Sequence, residues 1–274
     1  MISIPFTWNL PAMRQELEHG SLLWHSVRVG GPAVTLLPDF LTGIPGVEVG
    51  GEASGVLQMI HPLATRSTTG CPWKCSFCGI GRGLIEPGGL RCLDEWPDLP
   101  IQADNNLFAA PAAHFDKVID RLVKWGWADF NQGVDARFLN EHHASRIAEI
   151  KKPLIRLALD HPGSKEIWED AFQLLRRFKI PKSAIRSYAL VGFDTGPAEA
   201  WERMKWIESH GVKALPMWYH ALDQLEYSAV TEDQRRLGWD DEKRKDLMMF
   251  YYQHIVRANR RERRFYRPDQ GVLI

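Results

Sequence analysis

Apolar and polar positions change rhythm near residue 60. Before it, short apolar runs are broken by glycine and proline, as in VGGPAV and LTGIPGVEVGGEASG, and this predicts strands and turns with one helix at most. From His61 onward strand-like and helical stretches alternate. The spacing predicts strands at 61–69, 100–108, 128–134, 154–160, 186–193 and 213–219, with helices at 112–125, 140–151, 164–178 and 197–210. Phe115, Val118, Ile119, Leu122 and Val123 recur at three and four, the apolar stripe a helix lays on a sheet. Asn140 and Ser164 stand where helix N-caps belong, and Gly126 and Gly211 where C-terminal caps belong. Strand followed by helix, repeated, predicts an α/β fold with a parallel sheet, a partial (β/α) barrel left open by its count of six strands. Ligands of such sheets gather at the C-terminal ends of the strands.

Composition narrows the class. Lys plus Arg and Asp plus Glu stand at 34 each, so no global field draws the chain to nucleic acid or membrane. No apolar run of membrane-spanning length and no secretion-type leader is present, which predicts a cytoplasmic protein without membrane contact. Of the four cysteines, Cys71, Cys75 and Cys78 fall within eight residues. That spacing suits a shared ligand in a reducing compartment rather than disulfides.

The cysteine loop reads T-T-G-C-P-W-K-C-S-F-C-G-I-G and follows the first strand of the alternating region. Three thiolates this close can wrap one iron–sulfur core, and three ligands for four irons leave one iron open to a substrate. The pattern C-x3-C-x2-C, with Phe77 before the last cysteine and Gly79 after it, resembles the radical S-adenosylmethionine (SAM) superfamily. That resemblance implies a [4Fe-4S] cluster on Cys71, Cys75 and Cys78, with SAM chelated at the open iron. It implies reductive cleavage of SAM to a 5′-deoxyadenosyl radical that abstracts a substrate hydrogen atom. It also implies a partial (β/α)6 radical SAM barrel and a one-electron donor such as flavodoxin or ferredoxin. A structural zinc site, with Cys92 or a histidine as fourth ligand, is the plainer alternative, although zinc ribbons pair two C-x2-C knuckles. Cys92 itself reads as a small buried residue.

Polar residues at the strand ends extend the resemblance to the cobalamin-type branch. Asp104, Asn105 and Asn106 lie in A-D-N-N-L-F, where the family contacts the SAM amino group, although a turn would use the same residues. Gln132, Asp135 and Arg137 in N-Q-G-V-D-A-R become candidates for the SAM ribose and carboxylate, since an arginine fork suits a carboxylate. An Arg–Asp pair closing the barrel end would account for Asp135 equally. Gly192 would let a backbone edge approach adenine. Asp160, His161, Trp218 and Tyr219 are substrate candidates, with Met217 and His220 beside them, while an aromatic cluster is core packing by default. The sequence leaves the acid–base roles unassigned.

The stretch 28–41 resembles the last strand and turn of a cobalamin-binding domain. Without D-x-H-x-x-G, it predicts a remnant over 1–60 and no cobalamin. The barrel is then 61–225, and 226–274 is a helical extension. Leu247, Tyr251, His254, Ile255 and Ala258 form one stripe of its basic helix. Arg257, Arg260, Arg261 and Arg264 form the opposite stripe, suited to a phosphate backbone with Phe265 and Tyr266 to stack, or simply a solvated face. The substrate class stays open between a nucleic-acid base or nucleotide and a small metabolite. A zinc-stabilised, non-catalytic nucleic-acid-binding protein is the competing class.

Overall fold

The computed structural model describes residues 1–20, 26–51, 55–86 and 88–262, the side chains of 253–262 excepted. Residues 1–60 form more than strands and turns. β1 (Ile2–Ser3), α1 (Leu10–Gly20), β2 (Val27–Gly30), α2 (Pro32–Leu36) and β3 (Val47–Val49) make a three-stranded parallel sheet, β1-β2-β3, with α3 (Val56–Ile60) after it. Its core is its own: Ile4, Leu10, Leu17, Val29, Ala33, Val34, Leu41 and Ile44 are buried together. The stretch beginning at Arg28 is therefore the middle strand and the helix after it, not a last strand. Gly31 sits at φ 99°, and a Cβ there would meet the Ile4 backbone at 2.8 Å, which is why the break after β2 reads Gly-Gly-Pro.

The alternating region yields the six expected strands in one parallel sheet. In chain order they are β4 (Ala64–Thr65), β7 (Ile101–Gln102), β8 (Trp127–Phe130), β9 (Lys152–Ala158), β10 (Ile185–Val191) and β11 (Lys213–Trp218), and each pairs with the next. Between β4 and β7, β5 (Thr68–Thr69) pairs antiparallel with β6 (Arg91–Cys92), Thr68 opposite Cys92. The predicted strand 61–69 is thus split into two short strands. The predicted strand 100–108 is cut to two residues because Leu107–Ala109 turns into a 3-10 helix.

Helices α4 (Ala112–Trp125), α5 (Glu141–Ile147), α6 (Lys165–Arg177) and α7 (Pro197–Ser209) bring their apolar stripes to the main core. Phe115, Val118, Ile119 and Leu122 are at most 1 % exposed, each worth roughly 1.5–3 kcal/mol of burial. Asn140 caps α5 through His143 N at 3.0 Å, and Gly126 ends α4 at φ 71°. Ser164 does not cap; His161 Nδ1 accepts from Gly163 N instead, and Ser164 closes a 3-10 turn before α6. After β11, α8 (Glu232–Arg236) leads to α9 (Asp241–Glu262), which buries Leu247 and Tyr251 in the same core. His254, Ile255, Ala258, Arg257, Arg260 and Arg261 have side chains outside the described residues, as Arg264, Phe265 and Tyr266 are altogether. No described helix is long and apolar enough to cross a membrane.

Candidate functional site

The cysteine loop leaves β5 at the C-terminal end of the sheet and is fastened by two carboxylates. Asp104, 4 % exposed at the end of β7, accepts through Oδ1 from Ser67 N (2.7 Å), Ser67 Oγ (3.0 Å), Thr68 N (2.6 Å) and Thr68 Oγ1 (2.8 Å). Burial pushes its pKa up, and these four bonds offset part of that cost. Glu86 holds the next step: Oε2 accepts from Gly70 N at 2.7 Å and Asn105 Nδ2 at 2.9 Å, and Oε1 from Arg66 at 2.5 Å. Asp104 and Asn105 are therefore turned toward the loop backbone and its brace. Glu86 went unnoticed in the sequence, where I-E-P-G-G reads as a plain turn.

Beyond Gly70 the loop folds tightly on itself. A Cβ on Gly81 would meet Cys75 N at 2.8 Å and Trp73 O at 3.1 Å, and one on Gly79 would meet Ile85 Cδ1 at 2.4 Å. Gly81 N donates to Cys78 Sγ at 3.5 Å. The thiols of Cys71 and Cys78 are near enough for their charges to raise the pKa of Cys75. Burial pushes Cys75 up most, and the hydrogen-bonded Arg137 guanidinium pulls it back. Thiolate is the form that binds metal, and Arg137 favours it.

One polar chain joins the first and second cysteines. Asn106 Nδ2 lies 3.6 Å from Cys71 Sγ and donates to Asp135 Oδ2 at 3.0 Å. Asp135 in turn takes the Arg137 fork through Nε (2.7 Å) and Nη2 (2.9 Å). Arg137 stacks 4.0 Å over Trp73 and reaches Cys75. Asn106 Oδ1 is buried and has no hydrogen-bond partner among the described residues, an acceptor set beside the first cysteine. Asp135 and Arg137 thus pair with each other in this conformation. Gln132 is exposed and makes no hydrogen bond among the described residues.

A row of aromatic rings runs from the cysteine loop to the ends of the last two strands. Phe77 packs edge-on against Phe193 at 5.5 Å, and Phe193 against Tyr219 at 4.8 Å. Gln234, 2 % exposed, bridges the carbonyls of Gly192 (2.9 Å) and Tyr219 (3.0 Å), tying α8 to the ends of β10 and β11. One expectation changes here. Trp218 is 7 % exposed and packs on Trp239, so it belongs to the core and not to the mouth. Gly192, at φ 79°, has the Trp218 ring 2.5 Å from where a Cβ would stand, so only glycine lets that ring pack against the strand end.

Asp160, at the end of β9, is held by the Leu190 N–H. Burial raises its pKa, while the charges of Arg203 and Arg137 oppose that rise. Arg203 is wholly buried, donates to the carbonyls of Leu159 (3.1 Å) and Leu190 (2.7 Å), and faces Glu199 at 3.1 Å. It too escaped sequence reasoning, because a lone arginine on α7 reads as a solvated charge. His161 is exposed and stands 3.9 Å from Asp194. Cys92 is exposed on β6, contrary to the expectation of a buried residue.

All four cysteines are free, and among the described residues no three His, Cys, Asp or Glu side chains converge as ligands of a single ion do. Three free thiols, two of them acting by charge on the third, are the donor type that an iron–sulfur cluster takes.

No protein-family model and no curated protein matches the chain. Among solved structures it is similar to a radical S-adenosylmethionine methyltransferase, TsrM, from Kitasatospora setae with cobalamin and [4Fe-4S] cluster bound. The TM-score is 0.57 at 12% identity, over 81% of this chain and 66% of that one. It is also similar to TsrM with tryptophan substrate and a SAM analogue bound, at TM-score 0.55 and 12% identity, over 82% of this chain and 64% of that one. The chain spans just under two thirds of the length of these structures, and the likeness is one of fold.

Proposed function

We propose that this chain is a radical SAM enzyme in which Cys71, Cys75 and Cys78 hold a [4Fe-4S] cluster at the mouth of a partial (β/α)6 barrel. The observation that carries this reading is the polar chain from Cys71 through Asn106, Asp135 and Arg137 to Cys75, set at the C-terminal end of six sequentially ordered parallel strands. Bound there, the cluster would supply the electron that splits the sulfur–C5′ bond of SAM, releasing a carbon radical that takes a substrate hydrogen atom. The protein's own part is positioning and exclusion. Asn106 Oδ1 is free to accept from an ammonium group, and Asp135 can exchange its arginine partner for a ribose hydroxyl. Arg137 can then turn its fork to a carboxylate, as its planar donors allow. Phe77, Phe193 and Tyr219 would keep water from the side facing substrate, and Asp160 lies within reach of the Arg137 and Asp135 charges.

Substrate is proposed as a nucleic-acid base, a nucleotide or a small metabolite, and the reductant as a flavodoxin or ferredoxin. Cobalamin stays outside the proposal because D-x-H-x-x-G is missing from the sequence, although the TsrM structure contains it. Stoichiometric uptake of hydroxocobalamin, seen as a shifted visible spectrum, would overturn that part.

The test is anaerobic reconstitution with iron and sulfide, then SAM and dithionite. Formation of 5′-deoxyadenosine is expected, and Cys75→Ala should abolish it while circular dichroism stays unchanged. Stoichiometric zinc without SAM cleavage would return the chain to the zinc reading.

A further inference from the structure

A groove of about 840 Å³ runs between the β8–α5 connection and α6. Its walls include Leu139 and Ile167 as apolar surface, Arg137, Arg176 and Arg177 as cations, and Asp170 as an acid. Arg137 has a double position: it lines the groove and also hydrogen-bonds Cys75 while stacking on Trp73, itself 36 % exposed. Whatever sits in the groove is therefore one side chain from a proposed cluster ligand.

The cations at the rim are available to a partner. Arg177 meets Glu141 at 3.3 Å, with both side chains largely exposed, and such a pair is worth little and is readily exchanged. Arg176 is held by the carbonyl of Ile180, not by an acid. Ile167, 41 % exposed near the start of α6, adds apolar surface to the same groove more than two turns before them.

We infer that this groove receives a reduced, acidic one-electron carrier protein, whose carboxylates meet Arg176 and Arg177 while its redox centre faces the Trp73–Arg137–Cys75 edge. The inference rests on the function proposed above, which needs an electron from outside. One electron leaves the carrier, oxidising it by one step, and is taken up at the site held by the three cysteines. A contact of this kind is small, transient and steered by charge.

The test separates docking from chemistry. Binding of oxidised flavodoxin, and of ferredoxin, to the reconstituted protein is measured at low and high salt for wild type, Arg177→Glu and Ile167→Glu. Binding that weakens at least about fivefold in each variant and falls with salt supports the groove. In the same variants, 5′-deoxyadenosine formation driven by the carrier should drop in step while the dithionite-driven rate holds. Unaltered carrier binding in both variants overturns the docking site. Loss of the dithionite-driven rate in wild type overturns the enzyme reading instead, and leaves the binding result to decide the groove by itself.

Discussion

At the scale of single residues, the site is defined as much by what holds the loop as by what would hold a ligand. Asp104 takes four hydrogen bonds on one oxygen. Asp104→Ala strands two buried N–H groups and two hydroxyls, a loss of about 3–5 kcal/mol at roughly 1 kcal/mol or more for each. Denaturant unfolding with and without reconstituted iron should show this loss in both states; a defect confined to SAM affinity would contradict a bracing role. Gly192→Ala tests the close approach of Trp218. A left-handed residue costs about 1–2 kcal/mol and overpacking against Trp218 about 1–3 more. Lower stability with unchanged SAM binding is expected. An unchanged melting temperature with weakened SAM binding would show that Gly192 serves the ligand and not the packing.

Elements were legible in the sequence wherever a long periodic pattern met one apolar face. Helix α4 and strands β9, β10 and β11 lie within a residue or two of their predicted limits, because each buries a continuous stripe. The short pieces were not legible. Asp104 interrupts β7 because its carboxylate is needed by the loop, and Asn106 starts a 3-10 turn. Those demands come from residues more than 30 positions away, which no local pattern carries. The N-terminal βαβ unit was missed for a related reason: its strands are two to four residues long and its core closes only across all three. Arg203 shows the same blind spot at a strand end. On α7 it reads as a solvated charge, yet it gathers the Leu159 and Leu190 carbonyls where β9 and β10 meet the site. Arg203→Met leaves those carbonyls and Glu199 without their cation, and the cost of breaking a buried pair, about 3–5 kcal/mol, should appear as a lowered denaturation midpoint. A neutral result would mean that water replaces the guanidinium.

At the scale of the whole molecule, the N-terminal unit is fastened to the loop after β11 by one hydrogen bond and an aromatic stack. Thr7 Oγ1 donates to the Gln224 carbonyl at 2.6 Å. Trp8 lies 4.3 Å from the His220 ring, which in turn stacks on Tyr227 at 5.6 Å. Burial in that stack, with the Arg244 charge adding to it, lowers the His220 pKa to about 4 from the ordinary 6.5. The sign of the linkage follows directly. As pH falls through 6.5 the unfolded chain takes a proton that the folded one refuses until about 4. Stability is therefore complete above 6.5, is lost progressively between 6.5 and 4, and loses nothing further from this group below 4. His220→Phe removes the group and keeps a ring between Trp8 and Tyr227. The melting temperature of wild type minus that of the variant should then shrink steadily as the buffer is taken from pH 7.5 to 4.5. Parallel profiles would show that His220 takes up its proton at the same pH in the folded protein as in the unfolded chain, and that the contact between the N-terminal unit and the loop after β11 is open to water at this ring.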